Sequence, residues 1–202
     1  GDARFISESL THLSAVYAVL GDYEKAQSLG EEALHLQDKV EDLASAAFVE
    51  TFHGGVCFLK GDLETAKDHL ERSREMLIEA GDRHNISFVN NILGRVYLAE
   101  GDIAQAEHCY ERNARFNRAQ GARPYLLSAL SGLAAVSLAK QEWSCAAQRL
   151  CEALTLGGEM DAFSELTTVL NLCAKLAQAQ GEQQQAALIW TFLVDYRATY
   201  AL

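Results

Sequence analysis

Apolar residues recur along this chain at helical spacing, and strand-like alternation is absent throughout. Ile86, Val89, Ile92, Leu93 and Val96 follow the i, i+3, i+4, i+7 rule of a helix with one buried face. Leu126, Leu127, Leu130, Leu133 and Val136 do much the same. Short polar turns interrupt this pattern at a fixed interval. GDYEKA starts at Gly21, GDLETA at Gly61, GDIAQA at Gly101, QEWSCA at Gln141 and GEQQQA at Gly181, each 40 residues after the last. Five in-register copies without an insertion identify an internal repeat.

Other columns obey the same period. Ala26, Ala66, Ala106, Ala146 and Ala186 stay small. Such a column marks a close helix–helix crossing, where a larger residue overpacks at a cost of about 1–3 kcal/mol. Leu36, Met76, Phe116, Leu156 and Tyr196 form a large apolar column, and Val16, Val56, Val96, Val136 and Leu176 a second. The Gly of each GD pair suits the left-handed conformation that ends a helix, and the Asp after it can accept a backbone N–H and start the next. A second set of breaks falls at Glu41-Asp42, Gly81-Asp82, Gly121-Ala122 and Asp161. Each unit is therefore expected to hold two helices of about 18 residues, roughly 27 Å each. The units run approximately 2–40, 42–80, 82–120, 122–160 and 162–202. One helix pair cannot hide its apolar face alone, so stacked pairs in a single elongated domain over 1–202 are expected.

Composition narrows the picture. One Pro and 14 Gly in 202 residues suit long helices joined by tight turns. No apolar run reaches the roughly 18 residues that cross a bilayer. GDARFISES at the N-terminus lacks the basic-then-apolar pattern of a secretory signal. It also lacks an initiator Met, and a processed or excised piece is expected. The formal net charge of −11 argues against a nucleic-acid-binding surface, which needs clustered cations. Five Cys, no pair of them at zinc-ligand or redox spacing, read as reduced, buried thiols in a cytoplasmic protein.

Leu13, Ser14, Tyr17, Gly21, Tyr23, Ala26 and Ala33, with Leu93, Gly94, Tyr97, Gly101 and Ala106 in the third unit, carry a resemblance. In this order they match the signature of the tetratricopeptide-repeat family, and the likeness covers essentially the whole chain. Three positions depart from it: His53 where Leu is usual, Gln141 for the turn Gly, and Ser137 for the Tyr. The common unit has 34 residues. Longer units of 40 resemble kinesin light chains, bacterial peptide-sensing regulators and the sensor arrays of bacterial signal-transduction ATPases. Those arrays include LuxR-type activators responsive to maltotriose. The tail through Ala187-Leu188-Ile189-Trp190 to Tyr196-Arg197-Ala198 looks most like the last repeats of those ATPases.

The resemblance implies an all-α, right-handed superhelical solenoid of five helix-turn-helix repeats. It also implies a non-catalytic scaffold that binds a protein, peptide or small ligand, as the sensor module of a larger bacterial signalling protein. The alternative is a stand-alone adaptor. In this family the first helix of each pair lines a groove. Carried over by position, the groove residues are Phe48, Thr51, Phe58, Phe88, Asn91, Arg95, Ser131, Asn171 and Lys175. Phe48, Phe58 and Phe88 would form an aromatic patch. Arg95 beside Asn91, and Lys175 beside Asn171, would hold a carboxylate or peptide backbone by charge-assisted hydrogen bonds. Against this stand a core role for the Phe residues and a surface ion pair of Arg95 with Glu100 or Asp102.

An enzyme is a distant third reading. No GxSxG, HExxH, phosphate loop or dinucleotide turn is present. His12, His35, His53, His69, His84 and His108 are scattered and read as core or surface filler. No cofactor and no metal is expected. Asn85-Ile86-Ser87 reads as a helix start, not a glycosylated loop. The last helix carries Ile189, Trp190, Phe192, Leu193, Val194 and Tyr196, apolar on more than one face. It is expected to pack on a continuing repeat or, by self-association, on a second copy.

Overall fold

The computed structural model describes residues 2–37, 42–160 and 162–200. Glu41 and Asp161, at two of the predicted breaks, lie outside them, as do the side chains of Arg197 and Ala198 in the tail. Helices and tight turns make up the described chain, with no strand among these residues. Two compact units divide it, Gly1–Asp102 and Ile103–Leu202.

The first unit holds α1 (Asp2–Val19), α2 (Tyr23–Gln37), α3 (Leu43–Lys60), α4 (Leu63–Glu79) and α5 (Arg83–Glu100). Each helix packs on the next in sequence, and α3 also touches both α1 and α5. The odd-numbered helices thus form one layer, and α2 and α4 the other. The turns follow from the sequence. Gly21, Gly61 and Gly101 take φ of 83°, 92° and 83°, where any Cβ would be strained. The amide of Gly61 donates to Phe58 O at 3.1 Å and that of Asp62 to Cys57 O at 3.0 Å, which closes the helix end. The Asp then opens the next helix. Asp22, Asp62 and Asp82 each accept from the backbone N–H three residues on, at 3.1–3.2 Å.

The second unit holds α6 (Ile103–Gln120), α7 (Arg123–Ala139), α8 (Trp143–Glu159), α9 (Phe163–Ala179) and α10 (Gln183–Tyr200). Consecutive helices pack together, and α7 touches α9. Its helix starts are weaker: Ala122, Glu142 and Ala162 precede α7, α8 and α9 without a side-chain cap, and only α7 has a Pro in its first turn. Tyr110 is 2% exposed and occupies the space over Gly132, where a Cβ would overlap its ring. Arg149 reaches into the place left by Ser137, donating to Ser137 Oγ and, at 2.9 Å, to Leu133 O.

The small column is buried in every repeat: Ala26, Ala66, Ala106, Ala146 and Ala186 are all 0% exposed. The Val column is buried at Val56, Val96, Val136 and Leu176, but Val16 is 53% exposed. Val56 shows why, because it clusters with Ala18 and Ala26 of the preceding helix pair. No described helix precedes α1 to do this for Val16. The Cys residues need a correction. Cys57 and Cys109 are buried, but Cys145 and Cys151 are exposed. Both lie on α8 outside its buried stripe of Ala146, Leu150, Ala153 and Gly157.

Candidate functional site

Within the first unit, α1, α3 and α5 enclose a cavity of about 170 Å³. Ala15, Ala18 and Val19 come from α1, Phe88, Ile92 and Arg95 from α5, and the remaining lining from α3 between Thr51 and Leu59. One residue opens the space. Gly55 sits mid-helix on α3, and a Cβ built there would meet nothing within 4 Å. Its neighbour Gly54 is different: a Cβ there would come within 2.8 Å of Leu70 and 3.1 Å of the Ala66 carbonyl. Gly54 therefore permits the α3–α4 crossing, and Gly55 leaves room in the cavity.

Phe52, Phe58 and Phe88 are the aromatic lining residues, and a ring cluster extends from Phe52 to Phe48 and His12 outside the lining. Phe48 and Phe52 rings lie 4.6 Å apart, Phe52 and Phe88 lie 6.1 Å apart, and His12 sits edge-on to Phe48 at 5.2 Å. Such tilted contacts are worth about 0.5–1.5 kcal/mol each. These rings are half-buried, or in Phe88 37% exposed, so they are not sealed core. Arg95 supplies the charge. Its guanidinium carbon stands 4.7 Å over the Phe58 ring, a cation–π contact at the cavity edge. Among the described residues no carboxylate lies within ion-pair distance of it. Glu100, one partner its position suggested, binds Lys67 at 2.8 Å.

The nine residues expected in the groove fall into two groups. Phe48, Thr51, Phe58, Phe88, Asn91 and Arg95 belong to the first unit, and Thr51, Phe58, Phe88 and Arg95 line the cavity. The Thr51 hydroxyl is used internally, donating to Ala47 O at 2.7 Å and lying 2.6 Å from Ser73 Oγ. Ser131, Asn171 and Lys175 belong to the second unit. Ser131 Oγ donates to Leu127 O at 2.9 Å, and Asn171 Oδ1 accepts from Trp190 Nε1 at 3.3 Å. Lys175 is exposed on α9. Sequence reasoning missed Phe52, which joins Phe48 to Phe88. Its signal was the i+4 spacing from Phe48 on one helix face.

The scattered-histidine reading also needs correcting. His53 and Cys57 on α3 and His69 on α4 bring their ligand atoms within 4.8 Å of one another. His53 and His69 rings meet edge-on at 4.6 Å, and His69 Nδ1 is 2.5 Å from Glu50 Oε2. Burial, and then the neighbouring His69, hold the His53 imidazole below its ordinary pKa. Burial pushes the Cys57 thiol up to about 11.

Paired helices, left-handed Gly turns, a buried Ala at each crossing and a lined inter-helix cavity define a tetratricopeptide-type repeat scaffold of the all-α solenoid class. A family model described as the MalT-like TPR region matches residues 8–191. The chain belongs to that family. No curated protein matches it. Solved structures share the fold. A kinesin light chain protein of nearly identical TPR-like repeats from Podosopora anserina is 17% identical over 100% of this chain and 98% of its own, with a TM-score of 0.74. A signal transduction ATPase with numerous domains and a tetratricopeptide repeat sensor, from Pyrococcus horikoshii, is 15% identical at a TM-score of 0.77. That match takes in all of this chain and 32% of the ATPase. Aspartyl phosphate phosphatase F from Bacillus subtilis is 12% identical over 98% of this chain and 53% of its own, with a TM-score of 0.77.

Proposed function

We propose that this chain is a non-catalytic recognition module that takes up an apolar group with an adjacent carboxylate, as at a peptide C-terminus. The observation that supports this reading is the first-unit cavity with an apolar floor and Arg95 at its edge. Its volume of about 170 Å³ is below the roughly 300–1,000 Å³ of pockets that enclose a drug-sized ligand. It suits one or two side chains of a segment that continues outside. Ala15, Phe52 and Phe88 would contact the apolar group, and Arg95, held over Phe58, would donate to the carboxylate.

The test is fluorescence polarisation with a labelled apolar peptide, once as the free acid and once as the C-terminal amide. The acid should bind at least about tenfold tighter, the worth of one hydrogen bond to a charged group, and Arg95→Gln should remove that difference. Equal affinity of acid and amide would sink the carboxylate reading.

In the parent protein the module would act as a sensor. The MalT-like family match and the neighbour whose tetratricopeptide array is its sensor support that role. A bacterial signalling or transcription regulator, working in the cytoplasm where five free thiols persist, fits this reading. On α10, Leu188, Phe192 and Val194 are 55–71% exposed, which supports a docking role for that helix against a continuing repeat or a second copy. Light scattering across concentrations tests the second copy: a mass that rises with concentration and falls back in Phe192→Glu supports it, and a constant monomer mass rejects it.

A further inference from the structure

The 40-residue repeat lets each position be compared with its equivalents inside the same chain, and one cluster in the first unit breaks the pattern several times over. Where His53 stands, the other repeats have Leu13, Leu93, Leu133 and Cys173. Where Cys57 stands, they have Tyr17, Tyr97, Ser137 and Ala177. His69 replaces what is Leu29, Cys109, Arg149 or Ile189 elsewhere. The compensating position is Gly30. Its equivalents are all large, Leu70, Tyr110, Leu150 and Trp190, whereas a Cβ at Gly30 would overlap His53 Nδ1. A residue was given up on α2 to seat this imidazole on α3.

The seat is costly without a further partner. His53 is 5% exposed, and its Nδ1 is buried with no hydrogen-bond partner among the described residues. An unsatisfied buried polar atom costs about 1–3 kcal/mol. A Leu, as in three of the other repeats, would avoid that cost. The neighbours are ligand types. Cys57, one helical turn on from His53, is 5% exposed, and His69 faces both from α4. Glu50 bonds Nδ1 of His69 and so leaves Nε2 for an ion, the carboxylate–histidine arrangement that orients metal-binding imidazoles. Arg72 Nη1 holds the other Glu50 oxygen at 3.4 Å.

We propose that His53, Cys57 and His69 bind one zinc ion, with solvent as the fourth ligand. One thiolate and two imidazoles are a zinc donor set. The thiol proton leaves to solvent as the zinc–sulfur bond forms, and the thiolate and Glu50 carboxylate then balance the divalent charge. Tetrahedral zinc with bonds of about 2.0–2.3 Å sets ligand atoms about 3.3–3.6 Å apart. The three ligand atoms lie within 4.8 Å of one another, so closure needs at most about 1.5 Å of side-chain movement. The ion would staple α3 to α4 directly behind the cavity residues Phe52 and Val56. The zinc site does not depend on the peptide reading.

The test uses the reduced 202-residue chain in a non-coordinating buffer. Titration calorimetry with zinc chloride should show one equivalent bound, with a higher melting temperature. Cobalt chloride should give a near-ultraviolet thiolate-to-cobalt band. Cys57→Ser and His53→Leu should both remove stoichiometric binding, and the second should stay folded by circular dichroism because Leu is native to the equivalent position in three other repeats. Glu50→Gln should weaken binding about tenfold or more. The exposed thiols are the control: a Cys145→Ser/Cys151→Ser double variant keeps the band. No stoichiometric uptake, a band that survives Cys57→Ser, or one lost with the two exposed thiols overturns the proposal.

Discussion

At position 141 the chain makes a left-handed turn without glycine. Gln141 has φ of 61°, where Gly21, Gly61, Gly101 and Gly181 occupy the equivalent turns at 83–92°. The turn persists because its hydrogen bonds do, Gln141 N to Leu138 O at 3.1 Å and Glu142 N to Ser137 O at 2.8 Å. A side chain in this region costs roughly 1–2 kcal/mol. Glycine's greater freedom in the unfolded chain takes back about 0.5–1 kcal/mol. Gln141→Gly should therefore stabilise by about 0.5–1 kcal/mol, read as a higher urea midpoint with unchanged slope. A second residue carries a pH dependence. The Thr65 hydroxyl, and then its backbone N–H, hold the Asp62 carboxyl below its ordinary 3.8. A depressed carboxylate stabilises the fold fully above its unfolded value, and this contribution is lost as pH falls through the lower folded value. NMR titration of the side-chain carboxyls should show Asp62 protonating below the ordinary 3.8 of an Asp. Thr65→Val, which keeps the backbone donor, should move it only part of the way back.

Among the elements, α3 carries most of the molecule's unusual features. Its Gly54 side meets α4, its Gly55 side opens the cavity, and the first two 40-residue repeats meet around Val56. The glycine pair separates stability from binding. Gly55→Ala should stabilise by about 0.5–1 kcal/mol, since Ala is the better helix former and the new methyl meets nothing. Gly55→Leu should fold equally well by circular dichroism yet block peptide binding, because its side chain grows into the cavity. Gly54→Ala should instead destabilise, through overlap with Leu70 and the Ala66 carbonyl. The helix boundaries were legible in the sequence because the GD turns impose them locally. The Ala column was equally legible, because a crossing that excludes side chains leaves a residue-type trace. Phe52 was not, since its role depends on α1 and α5 flanking it. The His53–His69 approach was not either, since it joins residues 16 apart on two helices. Val16 misled for a related reason: its column is buried by the preceding pair, a property of position in the array and not of the residue.

For the molecule as a whole, the two cations singled out by the repeat pattern now separate. Arg95 and Lys175 occupy equivalent helices two repeats apart, and in sequence they look interchangeable, each one turn from an Asn. Their surroundings differ. Arg95 stands over Phe58 at the edge of a lined cavity, next to Phe88 and Ile92. Lys175 projects from α9 as an exposed side chain, and Asn171, its presumed helper, is occupied by the Trp190 indole at 3.3 Å. A lysine in water holds a carboxylate weakly, by about 0–1 kcal/mol, while a guanidinium fixed on a ring gives up less entropy per hydrogen bond. In the full chain, Arg95→Gln should weaken binding of the free-acid peptide about tenfold or more, and Lys175→Gln should leave it within about twofold. The reverse order would move the recognition site to the second unit. Equal losses would mean that the first-unit cavity alone does not account for binding.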